Sequence, residues 1–171
     1  MHIFRIHIKP KSGRADMETT FDYCLKEKIL GVGWRTKSNK NTKDWDEYYQ
    51  EASQGRDNLH VCGYIKNEVH RDDLVWTCDP TGRYYLARVL SGWEYWTTEE
   101  SQKKDIDIAN IFRCDIKLVS AADVPGKVID CFKPPKSIQK IKAPEVWNHS
   151  RRLWNALSGQ EIYKAEAMPI C

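Results

Sequence analysis

The chain has 171 residues, 41% hydrophobic and 30% charged, which excludes a largely disordered protein and suffices for one domain with a core of its own. A formal charge of +3 neither demands nor forbids a polyanionic partner, so the placement of the basic residues decides. No run reaches the length of a membrane span, and the N-terminal MHIFRIHIKP lacks the apolar core and small-residue cleavage site of a secretory signal; a cytoplasmic protein with no membrane partner is expected.

In chain order, His2 to Lys9 alternates Phe4, Ile6 and Ile8 with Ile3, Arg5 and His7 and predicts a strand with one clearly apolar face. Asp16 is placed to cap a helix that carries Phe21, Cys24 and Leu25 at three-to-four spacing. Ile29-Leu30-Gly31-Val32-Gly33-Trp34 follows, with two glycines that allow close backbone approach to a neighbour. Behind it, residues 35–43 place four cations, Arg35, Lys37, Lys40 and Lys43, beside an aromatic ring. Thr42 is expected to open a second helix with Asp44 in its first turn, and Asn58 to Val69 reads as a helix more readily than as a strand.

The stretch from Asp72 to Trp96 predicts a hairpin and a third strand, with Asp79-Pro80-Thr81-Gly82 as the turn. It holds Trp76, Trp93 and Trp96, three of the seven tryptophans, together with Tyr84, Tyr85 and Tyr95. Neighbours on a strand point to opposite sides, so Trp93 and Tyr95 share a face and Trp96 takes the other. That density of rings points to a pocket for a flat ligand. Residues 97–107 read as an exposed loop, and Ile111 to Val119 as a strand burying Phe112, Cys114, Ile116 and Leu118. Pro125 is expected at the first position of a short helix packing Val128, Ile129 and Phe132. Ser137 to Lys142 is a closing strand or turn, and a last helix is expected over 144–158, ended by Gly159.

The six cysteines are scattered, with no CxxC pair, and are expected to be reduced thiols acting as small hydrophobes. None of the five histidines has ligand-like spacing with a cysteine, so no metal and no cofactor are expected.

The order of strand, helix, GVGW, basic loop, helix, then Asp73-Leu74-Val75-Trp76, a turn and Tyr84 to Val89 resembles the PUA-like superfamily, especially its EVE and YTH-type branches. The resemblance implies an α+β fold over the single domain 1–171: a small mixed β-barrel over about 28–142, flanked by helices, with the C-terminal helix in addition. It implies a module that holds a modified or flipped nucleic-acid base in an aromatic cage, within a modification-dependent restriction or antiviral defence system that supplies an effector protein. Carried across by position, Trp34, Trp76, Trp93, Tyr95 and Trp96 are the cage candidates.

Stacking on a ring contributes roughly 1–3 kcal/mol per base, and discrimination then needs a polar group at the slot's edge, for which Asn41 and Asp79 are candidates. Arg35, Lys37, Lys40, Lys43, Arg83 and Arg88 are the candidate phosphate contacts. A binder of DNA or RNA is thus expected rather than an enzyme. Two alternatives stand beside it. One is a metal-dependent nuclease or nucleotide hydrolase using carboxylates such as Asp72, Asp73, Asp79 and Glu94, or Asp115 with Lys117. The other is a protein-interaction subunit anchored by exposed tryptophans.

Overall fold

Strands form where apolar and β-branched residues run together, and three of the helices begin at capping side chains. The computed structural model describes residues 1–9, 13–55 and 58–165. In chain order the elements are β1 (Ile3–Ile6), α1 (Met17–Glu27), β2 (Ile29–Val32), α2 (Trp45–Ala52), α3 (His60–Glu68), β3 (Leu74–Cys78), β4 (Tyr84–Val89), β5 (Glu94–Tyr95), α4 (Glu99–Lys103), β6 (Asn110–Val119), α5 (Gly126–Cys131), β7 (Ile138–Lys140) and α6 (Pro144–Ser158). Among the described residues, no helix is long and apolar enough to cross a membrane.

Six strands make a curled half-barrel in the order β2-β6-β4-β3-β1-β7, and β5 pairs with β6 off that path. All pairings are antiparallel except β1 with β3. The ten-residue β6 joins the two parts of the sheet: residues 114–119 pair with β4, and residues 110–113 pair with β2. α3 packs on β2 and β6 and reaches β7 through the Glu68–Lys140 ion pair at 2.8 Å, so it spans the two ends of the strand order.

Both faces of the central strands are covered. Phe4, Ile6, Val75, Ala87 and Val89 face a core shared with Phe21 and Cys24 of α1, Tyr48 of α2 and Cys62 and Ile65 of α3. Ile3, Leu74, Trp76 and Leu86 face a second core with Val146, Trp147, Leu153 and Trp154 of α6. The expectation of one apolar face on β1 is therefore corrected: all four of its residues are buried, Arg5 included, because helices and loops lie on both sides.

Side-chain caps start α1, α2 and α4. Asp16 accepts from the Thr19 amide at 2.7 Å, as its position suggested. Asp44, rather than Thr42, caps α2, accepting from the amides of Asp46 and Glu47. Residues 97–107 are not a plain loop: Thr98 and Ser101 form a reciprocal capping box that starts α4, and Ile106 is fully buried. Pro125 stands just ahead of α5 instead of entering it, and Ile129 is exposed while its neighbour Val128 is buried, since consecutive helical residues point about 100° apart. Leu118 is also exposed; it pairs with Tyr85 at the rim, beyond Ile116, and Val119 turns into the second core. Pro144 opens α6, and Gly159 closes it in the left-handed conformation at φ 72°.

Candidate functional site

The end of β2 is held against β6 more tightly than a side chain would allow. A Cβ at Gly31 would run into the Asn110 carbonyl oxygen, and one at Gly33 into the carboxylate and backbone of Asp107. The next residue, Trp34, has φ 69°, a left-handed conformation that costs a bulky side chain on the order of 1–3 kcal/mol. Its neighbours hold it there. The buried Asn110 amide donates to the Gly33 carbonyl at 2.5 Å, and the Tyr48 hydroxyl donates to the Trp34 carbonyl at 2.9 Å. The Trp34 side chain is half-buried against the first core.

Residues 35–43 leave this fixed point as a braced loop. The Arg35 guanidinium pairs with Asp105 and lies 3.8 Å from an Asp107 oxygen. The Thr36 amide donates to the Tyr95 hydroxyl at 3.0 Å, which in turn donates to the Asn39 side chain at 3.0 Å. Ser38 donates through its amide to Glu51, and Asn41 exchanges hydrogen bonds with the Thr97 backbone at 2.8 and 3.0 Å. Lys40 pairs with Glu47 at 2.5 Å while largely exposed. Lys37 and Lys43 are exposed and form no ion pair with the described residues.

The rings behind the loop close on each other. Trp93 meets Trp45 edge-on at 5.0 Å between centroids and Tyr48 at 5.4 Å, and Tyr48 stacks on Tyr95 at 5.1 Å. Trp93 also donates from its indole nitrogen to Asn110 at 2.9 Å. Trp93 and Tyr95 are buried, and burial pushes the Tyr48 hydroxyl well above the ordinary phenol range and that of Tyr95 upward. Trp96 takes the other side, as strand parity requires, flanked by Tyr23 and by the Arg113 guanidinium 4.7 Å from its centroid.

The structure therefore brings Trp34, Trp93, Tyr95, Asn41 and the cations of 35–43 into one region, and places the other candidates elsewhere. Trp76 is fully buried on the opposite face, where its indole donates to Ser150 at 2.9 Å. Asp79 organises the hairpin turn: its carboxylate accepts from Thr81, Arg83 and Tyr85. Burial pushes the Asp79 carboxyl upward, but the hydrogen bonds from Thr81 and Arg83 outweigh it and hold the group below its usual range. Arg83 is engaged with Asp79, and Arg88 with Asp72 at 2.6 Å.

The carboxylates considered for catalysis are dispersed in the same way. Asp73 accepts from the amides of His2 and His70, Glu94 pairs with Arg113, and Asp115 lies 3.8 Å from Lys117 on a half-exposed strand face. Sequence reasoning missed Asn110 and Tyr48, the two side chains that fix the Trp34 backbone. A buried asparagine in the otherwise apolar Ile108 to Phe112 run was the available signal, since such a group must find partners. No protein-family profile, curated protein or solved structure matches this chain.

Proposed function

We propose that the protein is a nucleic-acid-binding module in which Trp34 stacks on an unpaired, flipped or modified base and Lys37, Lys40 and Lys43 contact phosphates. The observation that carries this reading is the left-handed Trp34, locked on both sides and set beside a cationic loop. A strained aromatic at the start of a surface loop is a feature that folding alone does not favour, and such positions cluster at ligand clamps. Trp93, Tyr95 and Asn41 act behind the ring and the loop, keeping both in place. Arg35, neutralised by Asp105, positions the loop rather than a phosphate. The PUA-like reading, with its EVE and YTH-type branches, rests on the order of strand, helix, GVGW, basic loop and helix ahead of the hairpin in the sequence. It extends the proposal to a modified base and to an effector partner in a defence system.

Fluorescence anisotropy with single-stranded and duplex oligonucleotides, modified and unmodified, across a salt series tests this. Binding should weaken steeply with salt, and the Lys37→Gln/Lys43→Gln variant should flatten the logarithmic slope by roughly 1.5–2. Trp34→Ala should lose about 1–3 kcal/mol of affinity while keeping the fold by circular dichroism. Wild-type protein that binds no oligonucleotide at low salt, or a Trp34→Ala variant that binds as well, removes the proposal.

A further inference from the structure

A second cationic region lies away from the Trp34 loop, in a cleft of about 890 Å³ between α3, α5 and β7. That size falls within the roughly 300–1,000 Å³ of small-ligand sites. Lys127, Lys136, Lys140 and Lys142 line it, with Tyr64 and the half-buried Cys131. Its two wall carboxylates are already taken: Glu68 by Lys140 at 2.8 Å, and Asp130 by Lys133 at 2.8 Å. Lys127 pairs with Glu145. Lys136 and Lys142 are exposed and have no carboxylate among the described residues.

Directly behind this wall sits Arg5. It is fully buried, yet its guanidinium meets only neutral acceptors: the Lys136 carbonyl, the Gln139 side chain at 3.1 Å and the Pro134 carbonyl at 3.5 Å. Its Nε has no partner, and Phe132 lies beneath the group at 5.9 Å from the ring centroid. All three acceptor residues line the cleft. Burial pulls the Arg5 pKa down, the direction expected of a charge removed from water without a counter-ion. A buried cation lacking an opposite charge is costly, and an anion one wall away would relieve it.

From two lysines without a carboxylate on the cleft surface and a buried, uncompensated arginine bonded to three of its wall residues, we infer that it binds a phosphate-bearing ligand, with Lys136 and Lys142 as direct contacts and Arg5 as the buried charge that favours a dianion. The site is independent of the Trp34 loop. The shared chemistry is a terminal phosphate or pyrophosphate, which a free nucleotide or the 5′ end of a nucleic acid supplies.

Titrating the full chain with inorganic pyrophosphate at low salt, read by calorimetry and thermal shift, tests the inference. The result expected is saturable binding with a rise in Tm, weakened at least about tenfold by Lys136→Gln/Lys142→Gln and unchanged by Lys103→Gln, an exposed lysine of α4 outside both regions. Arg5→Met should also weaken binding although it alters no group on the cleft surface; if it fails to fold, the lysine pair decides. A preference for 5′-phosphorylated over 5′-hydroxyl oligonucleotides identifies a nucleic-acid end as the source, and nucleotide binding without that preference identifies a free nucleotide. No Tm rise with millimolar pyrophosphate, or a rise untouched in the Lys136→Gln/Lys142→Gln variant, overturns the site. The Trp34 reading stands or falls separately on the oligonucleotide titrations.

Discussion

Trp34 is the residue where backbone and function meet. Its left-handed φ is separable from its ring by comparing two truncations. Trp34→Ala and Trp34→Gly remove the same indole, but only glycine relieves the φ. The glycine variant should be the more stable of the two by about 1 kcal/mol in urea denaturation, reversing the usual order at a position with ordinary φ. A more stable alanine variant would show that this backbone is not left-handed in solution. The flanking glycines answer to a different constraint: Gly31 and Gly33 are needed because the backbone and Asp107 stand where a side chain would go.

At the scale of elements, the β3–β4 turn is held by one carboxylate. Asp79 serves Thr81, Arg83 and Tyr85 at once and has a depressed folded-state pKa. Its contribution is therefore complete above its unfolded value of about 3.9 and is lost as pH falls through the lower folded value. Asp79→Asn should cost about 1–3 kcal/mol at pH 7, and the gap from wild type should shrink as denaturation is repeated below pH 4. The docking of α6 rests on burial and on polar contacts along its length, from Trp147 to the Met1 carbonyl, His149 to the Asp123 carbonyl, Glu145 to Lys127 and, fully buried, from the Trp76 indole to Ser150. Ser150→Ala leaves that buried N–H without a partner and should cost about 1–3 kcal/mol, seen as a lower urea midpoint. A midpoint within error of wild type would mean that α6 does not sit on β3 as described.

At the scale of the whole molecule, two cores on opposite faces of one sheet sort the cysteines. Cys24, Cys62 and Cys114 are buried in the first core, and burial pushes the Cys24 thiol up to about 12. Cys78 and Cys131 are only half-buried. Peptide mapping after brief alkylation of the native protein should show Cys78 and Cys131 modified, with Cys24, Cys62 and Cys114 protected until denaturant is added. Early labelling of Cys24 or Cys114 would mean that α1 does not cover the sheet. Cys171 lies outside the described residues.

Much of the fold was legible because its signals are short-range. Asp16 and Gly159 mark helix ends through hydrogen bonds and φ angles spanning a few residues, the 79–82 run supplies its own turn chemistry, and the glycines of Gly31-Val32-Gly33 announce a close approach. Strand parity likewise separated Trp93 and Tyr95 from Trp96. Parity says which residues share a face and nothing about what lies over it. That α2 brings Tyr48 and Trp45 onto Trp93, that α6 covers Trp76, and that Arg5 ends behind a lysine-lined cleft are outcomes of contacts between residues tens of positions apart. The sequence by itself determined most of the elements, since caps, turns and periodicity are local, but neither α4 nor the second buried face of β1. Only the tertiary structure decided which rings are core and which cations remain without a counter-charge, because burial and compensation depend on long-range packing.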